Sequence, residues 1–188
     1  GAYCLMRLIF TVFGFGRTFS TGMVTLGIIS MVGGALLAVG QWDFKRLLAY
    51  SSISQMGYII FALGLGTPLG LLGGLLHLLN HTFFKSLLFL CSGAVEYATG
   101  TRDLKKLGGL WNRMPVTATT CSIASLSISA VPPFGGFFSK FIIVLAAVEA
   151  VNSIGTVAYA LAGITVFVSF ITLVYFVKVQ KMVLFGAL

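Results

Sequence analysis

The chain alternates long apolar runs with short polar punctuation. At about 1.5 Å of rise per residue, a helix of about 20 apolar residues crosses a hydrocarbon core of about 30 Å. Runs of that kind lie at about 21–40, 47–65, 69–96, 115–150 and 154–177. The opening run GAYCLMRLIFTVF is too short to span and reads as the second half of a helix over about 1–13. The chain is therefore expected to begin inside a helix of a larger protein. A loop carrying Arg17 follows from Gly14 to Ser20. The other breaks are the loop 41–46, the turn Gly66-Thr67-Pro68, and the long polar segment 97–114, where Gly108-Gly109 and Pro115 mark loop and helix start. The expected fold class is an all-α integral membrane protein. It is a multi-helix transmembrane bundle forming a single transmembrane domain over 1–188.

Three spans depart from a plain apolar pattern. Leu69 to Tyr97 reads LGLLGGLLHLLNHTFFKSLLFLCSGAVEY, with His77, His81 and Lys85 near its middle. A spacing of four stacks these residues on one drifting stripe, roughly 6 Å apart along the axis. A lysine at the centre of a span costs about 2.5–3.5 kcal/mol on the insertion scale. Such residues face a bundle interior or a water-filled cavity, and they mark ion or proton paths. A structural contact between packed helices accounts for one buried histidine, but poorly for three aligned titratable groups.

The stretch 115–150 is longer than one span and is interrupted by AVPPFGG. Pro132 and Pro133 remove backbone donors, and Gly135 and Gly136 loosen the chain, so a helix broken at 130–136 is expected. A break at membrane depth is tolerated only where protein or a water cavity surrounds it. Lys140 follows four residues later. Broken helices form ion sites in transporters, which is one reading of Lys140; snorkelling to the outer interface is the other. The positive end of the second half-helix disfavours an ammonium there, while carbonyls freed from the first half favour it. The span 47–65 opens with a polar half that includes Tyr50, Ser51, Ser52, Ser54, Gln55 and Tyr58. These either extend a hydrogen-bonded chain with water or serve helix packing.

Composition narrows the class. The chain is 58% hydrophobic and 9% charged, which excludes a soluble domain of this size, and its 23 glycines suit close helix packing in lipid. The net charge of +8 does not point to nucleic acid, because the basic residues lie mostly in two loops and at the C-terminal end. If 115–150 crosses once, one face receives Lys45, Arg46, Arg102, Lys105, Lys106, Arg113, Lys178 and Lys181, and the other only Arg17. That asymmetry places the loops 41–46 and 97–114 and the C-terminal end in the cytoplasm, with the protein in the cell (inner or plasma) membrane.

Catalytic and cofactor chemistry find no support. Cys4, Cys91 and Cys121 lie in apolar runs without a C-x-x-C pair. The H-x-x-x-H pair lacks a carboxylate or thiol on its stripe, and one helix does not fill a coordination shell, so no metal site is expected. There is no phosphate loop, no nucleophile with a partnered base and no cofactor fingerprint. Glu96 and Glu149 fall near helix ends, and Asp43 and Asp103 lie beside basic residues as local partners.

Three ordered motifs carry a resemblance: DFKRLLAYSSISQMGY, HLLNHTFFKSLLFLCSGAVEYATGTRDLKKLGGL and SAVPPFGGFFSKF. They resemble the antiporter-like membrane subunits shared by complex I, Mrp-type sodium/proton antiporters and membrane-bound energy-converting hydrogenases. The resemblance implies a fold of about fourteen helices in two inverted repeats, each with a broken helix. This chain would be the later part. The family's central lysine falls on Lys85, its histidines on His77 and His81, and its broken-helix lysine or glutamate on Lys140. The resemblance implies that these form the inner part of a horizontal polar axis and one half-channel. The family's first-repeat glutamate and lysine lie outside this stretch, so it is not a complete translocation path.

The implied function is a proton-translocating, or Na+-linked, antiporter-like subunit of a respiratory or energy-converting complex. Redox chemistry, quinone- or hydrogenase-linked, would lie on partner subunits. The alternative is a Mrp-type secondary Na+/H+ antiporter subunit without a redox partner, and the motifs do not separate the two. A purely structural scaffold leaves Lys85 and Lys140 at depth unexplained. The implied partners are other membrane subunits, the first part of the same fold, the lipid bilayer, and H+ or Na+.

Overall fold

The computed structural model describes residues 2–8 and 16–186. The expected helix end over 9–13 and most of the loop before Gly16 lie outside the described residues. The helices are α1 (Ala2–Leu8), α2 (Arg17–Val39), α3 (Phe44–Gly64), α4 (Pro68–Thr99), α5 (Leu110–Arg113), α6 (Pro115–Ile128), α7 (Gly135–Glu149), α8 (Val151–Ile154) and α9 (Val157–Val183). Among the described residues there is no strand, only an isolated antiparallel bridge between Asp43 and Asp103. The fold is an all-α transmembrane bundle. Four helices, α2, α3, α4 and α9, are long and apolar enough to cross a membrane. Large apolar side chains such as Leu26, Leu79, Phe83, Leu90 and Phe167 point outward, as lipid contact requires.

Helix ends are set by caps more than by polarity. Arg17 opens α2 instead of sitting in a loop: Ser20 N bonds Gly16 O at 3.0 Å, and Thr21 and Thr25 return their hydroxyls to carbonyls one turn back. Lys45 and Arg46, read as loop, lie in the first turn of α3, where the Asp43 carboxylate accepts from Arg46 N at 2.9 Å. Thr67 caps α4 by accepting from Gly70 N at 3.0 Å, and Pro68 begins that helix. Gly100, at φ 71°, ends it in the left-handed conformation. The polar segment before Pro115 is not all loop either, since it holds a 3-10 turn at Leu104–Lys106 and α5.

The broken stretch makes one crossing. Along α4, Gly73 packs on Ile142 and Ile143 of α7, Asn80 Nδ2 donates to Gly135 O at the break (2.9 Å), and Cys91 lies 3.5 Å from Thr120 of α6. Successive levels of α4 thus meet α7, the break, then α6 in reverse order. The loop after α2, the end of α4, the segment 101–106 and the end of α9 consequently share one face. Lys45–Glu96 (2.6 Å) and the bonds from Lys178 Nζ to Val39 O and Gln41 O (3.0 and 2.8 Å) tie that face together. The start of α2 and the end of α3 meet at the other face through Ser20 Oγ and Gly64 O (2.6 Å).

Packing leaves a polar layer at mid-height. One apolar cluster includes Phe44, Leu48, Leu88, Val95, Ile128 and Phe176. A second includes Met31, Phe61, Ala62, Ile143, Ala147 and Val168. Ser51, Ser54 and Gln55 on α3, Thr172 on α9, and Ser129, Ser139 and Lys140 around the break fall between the members of the two clusters. α3 is held in register by α2: a Cβ on Gly27 would sit 2.6 Å from Phe61 N, and Ser54 Oγ donates to Met31 O at 2.8 Å.

Candidate functional site

α4 brings His77, His81 and Lys85 to the buried side of the bundle. The Lys85 ammonium donates to Leu48 O at 2.7 Å and Ser51 Oγ at 2.5 Å, both on α3. His77 is fully buried between two side chains, with Nδ1 2.9 Å from Ser139 Oγ and Nε2 3.1 Å from Gln55 Oε1. His81, between them on the stripe, stands edge-on to Phe84, and its Nε2 is buried without a partner. Among the described residues no three His, Cys, Asp or Glu side chains gather as metal ligands would.

Lys140 is the second lysine of the layer. The broken helix presents it: α6 ends at Ile128, and a Cβ on Gly136 would collide with Ser127 O, so the two halves nearly touch. The Lys140 ammonium donates to the freed Ile128 O at 3.0 Å and lies 4.7 Å from the centroid of the Tyr58 ring. It points inward with 3% exposure, which decides against snorkelling. Tyr58 OH donates to Thr165 O at 2.8 Å and lies 2.9 Å from Ser169 Oγ. A cavity of about 460 Å³ opens beside Lys140, with Ser129, Pro132, Phe137 and Ser169 on its wall. Pro132 and Pro133 lie in the break, and Gly135 and Gly136 begin α7 directly after it.

The polar half of α3 divides by helix face. Ser51, Gln55 and Tyr58 share the spacing of one stripe and reach the axis. Ser54 faces α2, Ser52 bonds Leu48 O on its own helix, and the half-buried Tyr50 packs on the apolar cluster.

Sequence reading missed several members. Thr165, Ser169, Thr172 and Tyr175 form a polar stripe on α9 at spacings of four, three and three. That is the same signal that picked out α4, carried here by uncharged residues. The Leu48 and Ile128 carbonyls give no side-chain signal at all. Among the described residues neither Lys85 nor Lys140 has a carboxylate partner; the acidic ion pairs, Lys45–Glu96 and Arg102 with Asp43 and Glu96, all lie at the polar face.

Comparison with known proteins agrees with the three motifs. The family model described as NADH:quinone oxidoreductase/Mrp antiporter, TM, matches residues 1–172. A Na(+)/H(+) antiporter subunit of Alkalihalophilus pseudofirmus is 38% identical over 180 residues, covering 95% of this chain and 35% of that protein. An NADH-quinone oxidoreductase subunit of Mycobacterium tuberculosis is 39% identical over 187 residues, 99% of this chain and 29% of that one. A structure of the Mrp complex from Dietzia sp. DQ12-45-1b superposes with a TM-score of 0.92 at 32% identity, over 99% of this chain and 34% of its counterpart. The membrane-bound sulfane sulfur reductase, an archaeal respiratory membrane complex, gives 0.82 at 38% identity, over 90% and 27%. The chain spans about a third of the length of these relatives. It belongs to the NADH:quinone oxidoreductase/Mrp antiporter transmembrane family.

Proposed function

We propose that this chain is the proton-conducting inner part of an antiporter-like subunit, in which protons pass between Lys85 and Lys140 by way of the His77 and His81 stripe. The observation that carries this reading is that two lysines lie buried in one polar layer with hydroxyl, carbonyl and ring partners and, among the described residues, no carboxylate. A buried ammonium in a structural role is expected to have a counter-ion, because removing charge from water is costly. Without one, losing the proton breaks no ion pair. Imidazoles between the two stations pass protons through either ring nitrogen, and each station's charge biases its neighbour. Lys140 stands on the wall of a mostly apolar cavity, and the break beside it is where this reading places access to water.

The ion is H+ in this reading, with Na+ as the linked ion of the alternative. The subunit would sit in the cell membrane with other membrane subunits, including the first part of its own fold. Residues 1–188 would form one transmembrane domain. Redox chemistry would lie on partner subunits, or be absent in a Mrp-type assembly; relatives of both kinds share the fold. Transport by the parent complex in vesicles, normalised to assembled protein, tests the proposal. Lys85→Arg keeps the charge but does not release a proton at accessible pH. Lys85→Ala removes a buried charge that has no counter-ion. Both variants are expected to assemble and to lose transport. Wild-type transport in Lys85→Arg would sink the relay.

A further inference from the structure

Lys85 and His77 are two turns apart on α4, and His81 between them does not join them in hydrogen-bond terms, since its Nε2 has no partner. The groups that do lie between come from other helices. Ser51 receives the Lys85 ammonium, and Gln55 Oε1 meets His77 Nε2. Ser51 and Gln55 stand one turn apart on α3. Tyr175 enters from α9 with 0% exposure. Its hydroxyl faces Thr172, Ser51 and Gln55 without completing hydrogen-bond geometry to any of them. Gln55 Nε2 is likewise buried without a partner. A phenol and an amide left unpaired in a bundle interior are costly, and each offers what the other lacks.

We propose that Tyr175 is the positioning residue that joins the two stations, so that the connection runs Lys85–Ser51–Tyr175–Gln55–His77 and passes His81 by. This rests on the relay reading for its two lysine stations and His77, and takes His81 out of the route. The chemistry of each link suits the task. A phenol donates and accepts at once, and an amide presents an acceptor on one side and donors on the other. When the facing nitrogen of His77 carries a proton, Gln55 must offer its carbonyl; when that nitrogen is bare, Gln55 must offer its N–H. Turning the amide changes what it shows Tyr175, from a donor to an acceptor, and the phenol proton turns with it. Ser51, and so Lys85, then meets a Tyr175 oxygen whose donor direction depends on the state of His77.

Tyr175→Phe keeps the ring and removes only the hydroxyl. In vesicles bearing the intact parent complex, this variant is expected to assemble at the wild-type level and to transport about tenfold more slowly, the cost in rate of about one lost hydrogen bond. Its solvent deuterium isotope effect is expected to rise, because proton transfer between stations no longer held in line becomes the slow step. Gln55→Met, which removes the other side of the link, is expected to behave alike. Wild-type transport in either variant overturns the proposal. So does slowed transport with an unchanged isotope effect, which is what lost packing gives. His81→Gln is expected to retain more transport than Tyr175→Phe, and the reverse order overturns the bypass. Lys85→Arg keeps the two readings apart: wild-type transport there removes the relay itself, whatever Tyr175 does.

Discussion

Lys140 has neighbours that select the sign of its charge. Its ammonium meets the Ile128 carbonyl oxygen and the face of Tyr58, both electronegative. The resemblance permits lysine or glutamate at this position, but the surroundings here suit the cation. Lys140→Met leaves Ile128 O without its donor, at about 1–3 kcal/mol. It also removes a buried charge that has no counter-ion, which offsets part of that cost. Lys140→Glu is expected to be worse, because it turns acceptors toward an acceptor. Thermal melting of the assembled complex should therefore rank Glu below Met, and equal melting would show that Ile128 O exerts no such selection. The titratable residues of the site were legible in the sequence because a charged or imidazole side chain inside an apolar run is conspicuous. Their partners were not. Ser139 and Thr165 look ordinary in a helix, and main-chain acceptors at Leu48 and Ile128 leave no mark on the residue pattern.

At the scale of the element, the broken helix shows what a motif conveys and what it omits. PPFGG announced the interruption through its two prolines, which lack the donors a helix needs, but the break expected at 130–136 ends at Phe134, and Gly135 and Gly136 open α7. It did not announce how closely the two halves approach. A methyl group on Gly136 would strike the carbonyl of Ser127, which is backbone and has little room to give. Gly136→Ala should then push α7 away from α6 and move Lys140 off Ile128 O, at about 1–3 kcal/mol of overpacking. Gly93 on α4 has open space where a Cβ would stand, so Gly93→Ala is the control and is expected to be neutral. The readout is the yield and melting temperature of the assembled complex. Equal behaviour of the two variants would remove the close apposition of the halves as a structural requirement. The start of α2 carries the converse lesson. Polarity suggested that the helix begins after Ser20, yet hydroxyls returned to carbonyls one turn back let Thr21 and Thr25 sit inside it without unsatisfied groups.

For the whole molecule, the open question is which face looks inward, and the charge distribution answers it with a prediction. The eight basic residues counted on one face in the sequence do come together there, because α6 and α7 cross once and α9 returns beside the end of α2. Some are occupied locally: Lys45 and Arg102 pair with Glu96, and Lys105 and Lys178 lie 4.5 and 3.8 Å from the centroid of Trp42. Lys106 is exposed on the same face. Thr18, on the first turn of α2, is exposed at the opposite face. Since cytoplasmic loops hold the excess of lysine and arginine, Lys106→Cys should react with a membrane-impermeant maleimide in inverted vesicles and not in intact cells, and Thr18→Cys should do the reverse. Cys4 is exposed and Cys91 and Cys121 are buried, so the background is best removed with Cys4→Ser. The two sites answer jointly. Reaction of Lys106→Cys from outside, with Thr18→Cys reacting from inside, would invert the molecule. Reaction of both from one side would deny that α2 crosses at all.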